Sequence, residues 1–260
     1  MSLSRLRFST RALRATLSTA SHWGRMEVAR AAAPAPRKHR TLMLRVPRWA
    51  RHLCEIFGLS LKTSGPFIGD GRPYPTRSAE GVGRIFIMNH RSGLDVPVML
   101  ALVEGHLVSR ADLAQWPFIG HGARRIGTLF VDRASLRSGA TVQREMERHL
   151  ADGHGVALFP EGTAFDGDEI RPFRPGAFRA AARTGAELVP LGIAYDRPEA
   201  YFGDESFLDH MQRVMGLPAL GAAVVAGEPW SVPADARVTQ VRERAREVVG
   251  ALVKRARAQL

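Results

Sequence analysis

The sequence predicts an α/β fold, a mixed and mostly parallel sheet flanked by helices, preceded by an N-terminal amphipathic helical segment that binds a membrane. The first observation behind this prediction is the alternation of short apolar runs with helix-like periodic segments after residue 84. The second is a length of 260 residues, which is enough for one large domain with a sizeable core. The third is the basic and amphipathic character of the N-terminal quarter.

The predicted strands are short apolar runs, and the predicted helices are the periodic segments between them. Strands are expected at residues 84–88, 106–109, 126–131, 155–159, 188–195 and 222–226. Helices are expected at residues 96–103, 135–150, 176–183 and 238–252. Glycine and proline over residues 65–75 predict a loop that leads into the first core strand.

The positive charge is concentrated near the N-terminus. Residues 1–54 contain twelve basic side chains and one acid, Glu27, and so hold +11 of the net charge of +12. Such a concentration indicates an anionic partner, either lipid headgroups or nucleic acid. We predict a flexible basic arm over residues 1–40 with an Ala/Pro linker at 31–36, an amphipathic membrane-associating helical segment over 41–75, and a folded domain over 76–260.

Two other interpretations of the N-terminal segment stay open. The first thirty residues are rich in Arg and Ser and poor in acids, which is also typical of an organellar transit peptide. The second interpretation is that the translation start of the protein has been assigned too far upstream. The segment contains no run of 18 or more uncharged apolar residues, which a spanning helix would need. An interfacial helix over residues 42–61 therefore fits better.

The lone Cys54 excludes an internal disulfide and a thiolate metal site, and we expect it to be an apolar core residue.

A polar heptapeptide, NHRSGLD at residues 89–95, follows the first predicted core strand. His90 and Asp95 would be about 140° apart on a helix and on opposite faces of a strand. Their side chains can meet only if the chain turns between them, and Ser92 and Gly93 favour a turn. The sequence therefore predicts a strand end, a turn and a helix start, which is where α/β folds place reactive residues.

A histidine oriented by a carboxylate can take a proton from an alcohol near neutral pH. No G-x-S-x-G motif marks a serine nucleophile. The pair therefore favours activation of an incoming hydroxyl for direct transfer. Two structural alternatives remain at this point: His90 as a hydrogen-bonded polar residue at a strand end, and Asp95 as the cap of the helix that begins at residue 96.

Four blocks in order resemble the glycerolipid acyltransferase family, the 1-acylglycerol-3-phosphate (lysophosphatidic acid) acyltransferases and their PlsC-like relatives. The blocks are NHRSGLD at 89–95, GTLFVDR at 127–133, FPEGT at 159–163 and VPLG at 189–192. The segments SRADL at 109–113 and PFIG at 117–120 resemble the part that connects the first two blocks. The resemblance covers about residues 80–200, and it implies that residues 76–260 are an acyltransferase domain.

The resemblance implies roles for residues in these blocks. His90 would be the general base for the acceptor hydroxyl, and Asp95 would orient it. The residues that would bind substrate, chiefly the polar headgroup of the acceptor, are Arg133, Glu161, Gly162, Thr163 and Arg110. A guanidinium suits a phosphate because of its forked donors. A carboxylate repels a phosphate, so we hypothesise that Glu161 orients Arg133 or a hydroxyl, with a turn carboxylate as the alternative.

The sequence departs from the family pattern at Ala164, where an arginine often follows the third block. Arg171 and Arg174 are candidates to replace that contact, or the acceptor is not a simple phosphomonoester. The stretch YFGDESFLDH at residues 201–210 resembles a segment of relatives that acylate lyso-ornithine lipid, although a polar surface loop is the expected location of Asp204 and His210.

No metal site is predicted. His149 and His154 flank a Gly-containing turn, no third ligand is marked nearby, and a solvated loop is the expectation for both.

The expected function is transfer of a fatty acyl group from acyl-CoA or acyl carrier protein to the hydroxyl of a lyso-lipid, first 1-acyl-sn-glycerol-3-phosphate and alternatively lyso-ornithine lipid. Direct transfer from a thioester implies no cofactor. The expected partners are an anionic membrane surface, the lyso-lipid and the acyl donor, and the expected location is the cytoplasmic face of the plasma membrane.

A competing hypothesis from another class is a non-catalytic protein that binds nucleic acid or membrane through its basic arm. That hypothesis leaves the four ordered blocks unexplained, and we therefore expect no nucleic-acid partner. A third hypothesis, the same fold without catalysis, is disfavoured because His90 and Asp95 are both present.

Overall fold

The computed structural model describes residues 2–34, 38–70, 72–115 and 119–260. The helices within these ranges are α1 Leu3–Ala32, α2 Lys38–Met43, α3 Val46–Ile56, α4 Asp95–Leu102, α5 Ile119–Arg125, α6 Leu136–Ala151, α7 Gly176–Thr184, α8 Phe207–Gly216 and α9 Val238–Arg257. The strands are β1 Leu59–Ser64, β2 Ile85–Met88, β3 His106–Arg110, β4 Leu129–Val131, β5 Val156–Leu158, β6 Glu187–Tyr195, β7 Leu220–Ala226 and β8 Trp230–Ser231.

The strands form one mixed sheet in the order β1-β7-β6-β2-β5-β3-β4, with β8 added to β6. The pairs β1/β7, β6/β2, β2/β5, β5/β3 and β3/β4 are parallel. Strand β6 is antiparallel to β7 and to β8. The predicted α/β class with a mostly parallel sheet is therefore confirmed.

Helices cover both faces of the sheet because side chains alternate along each strand. Phe86 and Met88 of β2 point to a core that includes residues of α3, α4 and α8. Ile85 and Ile87 point to a second core formed with α6, α7 and α9. All four side chains are fully buried, as a central parallel strand requires.

Gly192, the last residue of the fourth sequence block, lies where α9 crosses β6. A Cβ built at Gly192 would be 2.5 Å from the backbone nitrogen of Val253. Only glycine lets the helix backbone approach the strand this closely. This block therefore has a packing role in addition to any role at the site.

The first helix differs from the flexible arm predicted for residues 1–40. Helix α1 is 30 residues long and packs against α8, α2 and α3. The Arg11 guanidinium donates to the carbonyls of Met215 (2.9 Å), Leu217 (2.6 Å) and Pro218 (3.0 Å) beyond and at the end of α8. Partners distant in sequence thus hold the basic segment in place. The linker predicted at 31–36 lies partly outside the described residues.

The segment predicted as a membrane-associating helix over residues 41–75 differs in two ways. The apolar face of α3, including Val46, Ala50 and Cys54, is buried inside the protein and packs on α4. Residues 59–64 form β1, because their backbone pairs in parallel with β7. Cys54 is a core residue as expected, and burial raises the pKa of its thiol to about 12.

Helix α8 was not predicted from the sequence, and His210 within it was expected in a polar surface loop. The helix buries His210, Val214 and Met215 and begins at an N-cap, Ser206, whose side chain accepts from the backbone of Asp209.

Among the described residues, no helix is both long enough and apolar enough to cross a membrane.

Candidate active site

The NHRSGLD turn begins where β2 ends, and the Asn89 side chain ties it to β6. Its amide nitrogen donates to the carbonyl of Ile193 (2.9 Å), and its oxygen accepts from the Ile193 amide (2.8 Å). Both bonds are buried, and they join the Asn89 side chain to β6 just beyond the last β2/β6 backbone pair, Met88 with Leu191. The next residue, His90, therefore starts from a rigid support.

Asp95 is the centre of the turn. Its Oδ2 lies 2.7 Å from Nδ1 of His90 and accepts from the backbone amides of Ser92 (2.8 Å) and Arg91. Its Oδ1 accepts from the hydroxyl of Tyr195 at 2.6 Å. Asp95 is the first residue of α4, and its carboxylate is fully buried. The carboxylate accepts hydrogen bonds from amides of the preceding turn rather than from amides inside the helix.

His90 presents its other nitrogen to the site. Because Nδ1 donates to Asp95, the tautomer has its lone pair on Nε2. Phe159, the residue after β5, stacks on the imidazole with ring centroids 4.2 Å apart and planes 15° apart. The side chain is 18% exposed, so a substrate can reach it.

Tyr195 at the end of β6 was not predicted as a site residue. Burial, and then the charge of Asp95, raises the pKa of its hydroxyl well above the usual value. The hydroxyl therefore stays protonated and remains a donor to Asp95. The sequence offered no signal for this contact beyond the position of Tyr195 close to the fourth block.

Glu161 lies beneath the turn and pairs with Arg91, not with Arg133 as hypothesised. Its Oε1 is 2.9 Å from the Arg91 guanidinium and accepts from the His90 amide at 2.8 Å. Its Oε2 accepts from the Arg171 amide at 2.8 Å. Both charged side chains are fully buried. Glu161 thus supports the backbone of His90, and Arg91 is a residue that sequence reasoning missed.

His210 holds the turn from the other side and corrects its expected location in a surface loop. Its Nε2 accepts from the amide of Gly93 at 3.0 Å and lies 3.1 Å from Oγ of Ser92. Its Nδ1 donates to Glu205 at 3.1 Å. Burial lowers the pKa of this imidazole, which favours the neutral form that the Nε2 contact requires.

The other predicted binding residues lie near a group of arginines. Gly162 has φ of 89° and contacts Arg174, whose Nε would be 2.4 Å from a Cβ at residue 162. Partial desolvation and then the charges of Arg174 and Arg110 lower the pKa of Arg133. Thr163 is exposed beside Gly162. These positive charges favour an anionic group.

Arg110 makes none of its described contacts with His90 or Asp95. It forms a forked ion pair with Asp112, with N–O distances of 2.9 and 2.8 Å, at the exposed end of β3. The charge of Arg110 contributes to the basic surroundings of Arg133, while its donors are used by Asp112.

A cavity of about 600 Å³ adjoins the turn. Two of its neighbouring segments bond directly to the turn: the Phe165 amide donates to the carbonyl of His90 (3.2 Å), and the Phe202 amide donates to that of Arg91 (2.7 Å). The cavity is lined by Asp166, Gly167, Pro198, Tyr201, Gly203, Asp204, Glu205 and Arg213. Glu205 is already paired with Arg213, so Asp166 and Asp204 are the lining carboxylates that favour a cationic group.

His149 and His154 are not in a solvated loop as expected. Both are half-buried and lie beside the buried His106 at the start of β3. This third histidine was missed because it is distant in sequence.

Comparison with known proteins gives concordant matches. The family model described as Acyltransferase matches residues 75–194. The chain is 33% identical over 164 residues to the lyso-ornithine lipid O-acyltransferase of Rhodobacter capsulatus, covering 59% of each chain. It is 30% identical over 206 residues to that of Brucella abortus, covering 71% of this chain and 72% of the relative.

The fold is also similar to a solved structure. The crystal structure of the 1-acyl-sn-glycerophosphate (LPA) acyltransferase PlsC from Thermotoga maritima superposes with a TM-score of 0.67. The match covers 94% of this chain and 97% of that one at 17% identity. It therefore supports the fold, including the helices that precede the sheet.

The substitution Glu161→Gln tests the buried ion pair. We expect it to lower the free energy of unfolding by about 3–5 kcal/mol, because the Arg91 guanidinium would be left buried without a countercharge. Chemical denaturation would measure the loss. The control is Glu169→Gln, whose side chain is exposed and should change stability by less than about 0.5 kcal/mol. Equal effects of the two substitutions would contradict a role for this pair.

Proposed function

The chain belongs to the acyltransferase family, and from this premise we propose that it transfers a fatty acyl group from a thioester to the hydroxyl of a lyso-lipid. The observation that most strongly supports the proposal is the 2.7 Å contact between His90 Nδ1 and the buried Asp95, which leaves Nε2 as the basic nitrogen. The chain spans 59% of the length of the Rhodobacter capsulatus relative that it matches.

In the proposed reaction, Nε2 of His90 takes the proton of the acceptor hydroxyl as its oxygen attacks the thioester carbonyl. The charge of Asp95 stabilises the imidazolium that forms. The tetrahedral intermediate collapses with cleavage of the C–S bond, and the imidazolium returns the proton to the departing thiolate. The products are an ester and a free thiol. Conversion of a thioester into an oxygen ester is energetically favourable, so the transfer requires no cofactor.

The acyl donor is proposed to be acyl-CoA or acyl carrier protein. Both donors have a phosphate-containing arm, and the positive charges of Arg133 and Arg174 support binding of such an anion. Both donors occur in the cytoplasm, so the proposal includes action at the cytoplasmic face of the membrane.

The substitutions His90→Ala and Asp95→Asn test the mechanism. We expect His90→Ala to abolish acyl transfer, because it removes the nitrogen that takes the hydroxyl proton, and Asp95→Asn to reduce kcat on the order of 10³- to 10⁴-fold through the wrong tautomer. Transfer of labelled acyl groups would be measured with folding checked by circular dichroism. Substantial activity of a folded His90→Ala protein would refute the mechanism.

The acceptor is proposed to be lyso-ornithine lipid, ahead of the 1-acyl-sn-glycerol-3-phosphate that sequence reasoning ranked first. An ornithine headgroup has an ammonium and a carboxylate. The cavity beside the turn is lined by Asp166 and Asp204, whose charges attract an ammonium and repel a phosphate, while Glu205 already forms an ion pair with Arg213. Ala164 removes one family arginine. Arg133 and Arg174 support 1-acyl-sn-glycerol-3-phosphate as the second candidate.

A panel of lyso-lipids offered with labelled acyl-CoA or acyl carrier protein tests the acceptor. We expect kcat/KM to be highest for lyso-ornithine lipid, and the pair Asp166→Asn and Asp204→Asn to lower it about tenfold for that acceptor alone, through loss of attraction to the ammonium. The control is Asp235→Asn, an exposed carboxylate outside the cavity. Acylation of 1-acyl-sn-glycerol-3-phosphate alone would rule out the ornithine headgroup and favour the second candidate.

We also propose that α1 binds the protein to an anionic membrane. Leu3, Leu6, Leu13 and Leu17 are 49–70% exposed. At 100° per residue they form one stripe along α1, and Arg14 and Arg25 are exposed beside it. An exposed apolar stripe bordered by arginines is typical of a helix that lies in an anionic lipid surface.

The double substitution Leu13→Asp and Leu17→Asp tests this surface. We expect at least about tenfold weaker binding to phosphatidylglycerol-containing vesicles. Each of the two leucines would contribute about 1.5–3 kcal/mol to binding when it becomes buried in the lipid. The control pair, Ser9→Asp and Thr16→Asp, adds the same charge to α1 beside the stripe. Vesicle pelleting measures the effect. Tighter binding to duplex DNA than to vesicles would instead favour the nucleic-acid hypothesis.

A further inference from the structure

Three histidines lie together at the edge of the sheet opposite the His90 turn. His106 is the first residue of β3, His149 is in the last turn of α6, and His154 precedes β5. His106 pairs in register with Val156, which pairs with Ile85 at the start of β2. His90 follows the other end of β2. The cluster is therefore a different site from the one proposed for acyl transfer.

We propose that His106, His149 and His154 bind a divalent transition-metal ion of the Zn²⁺ type. Each side chain offers one ring nitrogen, and the three nitrogens lie within 4.8 Å of one another. Imidazole nitrogen is a preferred ligand of Zn²⁺, Ni²⁺ and Cu²⁺. Mg²⁺ and Ca²⁺ need oxygen ligands, so this set disfavours them.

The hydrogen bond of His106 prepares its ring for a metal. Its Nδ1 donates to the carbonyl of Gly127 at 2.8 Å, which puts the lone pair on Nε2. Metal-binding histidines commonly donate their second N–H to a backbone carbonyl in this way, because the bond selects the tautomer and orients the ring. The ring is buried, so this orientation is held by the surrounding packing.

The backbone fixes the positions of the three residues. The His154 amide donates to the carbonyl of His149, and the His106 amide donates to that of Gly155, both at 2.8 Å. Gly153 makes the turn between α6 and β5 with φ of 76°. Arg77 donates to the carbonyls of Asp152 (2.8 Å) and Gly153 (3.0 Å). The ligands are thus held by a preformed loop.

A bound metal ion would require the three ring nitrogens to reach a closer, regular spacing. Bonds of about 2.0–2.1 Å in a tetrahedral arrangement place ligand nitrogens about 3.4 Å apart. The rings of His106 and His149 are already in contact, with centroids 3.8 Å apart. His149 and His154 are only half-buried, and the proposal requires their rings to shift toward a shared ion.

An adjoining cavity supplies an entry path. Its volume is about 440 Å³, and its lining includes His106, His154 and Glu104. Water in this space can fill the fourth metal position, which three protein ligands leave open. A bound ion would link the start of β3, the end of α6 and the loop before β5. Its role would therefore be to stabilise this edge of the sheet.

Equilibrium dialysis against Zn²⁺ and visible absorption with Co²⁺ test the site, using the full chain without a polyhistidine tag after treatment with EDTA. We expect one equivalent bound, Co²⁺ bands typical of nitrogen ligands, and a higher Tm with Zn²⁺. We expect His149→Ala and His154→Ala to weaken binding at least about tenfold each, since each removes a direct ligand. The control is His52→Ala, an exposed histidine of α3.

The metal-free variants would be compared by circular dichroism, so that loss of binding is separated from loss of folding. Binding by wild type of less than one equivalent, or equal binding by wild type and the His149→Ala/His154→Ala double variant, would overturn the proposal. His106→Ala is not used alone, because His106 also bonds Gly127 and its loss affects folding.

Discussion

The buried carboxylate of Asp95 is the constraint on which the site depends. A carboxylate removed from water is costly unless hydrogen bonds and countercharges compensate. The fold brings four donors to it: His90, the amides of Arg91 and Ser92, and the hydroxyl of Tyr195. The orientation of the histidine, the shape of the turn and the start of α4 follow from satisfying this one group.

Around that carboxylate, the sheet converts a linear series of blocks into one surface. The first block follows β2, the second ends after β4, the third follows β5, and the fourth lies within β6. Strands β2, β4, β5 and β6 run in the same direction, so the blocks that follow strands meet at one edge. Ligand sites in open α/β sheets lie at this edge. Beneath it, Asn89, His210 and the Arg91–Glu161 pair hold the turn from three directions.

Sequence patterns predicted the elements whose burial is regular. Strands β2, β3, β5, β6 and β7 and helices α4, α6, α7 and α9 lie within a few residues of their predicted limits. Strand β1, LSLKTS, was missed because its first residues were included in the helix predicted over residues 42–61, and its strand form depends on pairing with the distant β7. Helix α1 was predicted as a flexible arm because its contacts are with Leu217 and Pro218, far along the chain. The apolar face of α3 was correctly identified, but its partner is α4 rather than a membrane.

The sequence by itself determined the fold class and the turn between β2 and α4, because these follow from local periodicity and turn-forming residues. It singled out His90 and Asp95 only through the resemblance of four ordered blocks to a known family. Only the tertiary structure decided which groups surround that pair. Tyr195, Glu161 and His210 contact the turn across 70 or more residues of chain. The tertiary structure also decided that His106 lies beside His149 and His154. Such contacts depend on the packing of distant segments, which spacing along the chain does not encode.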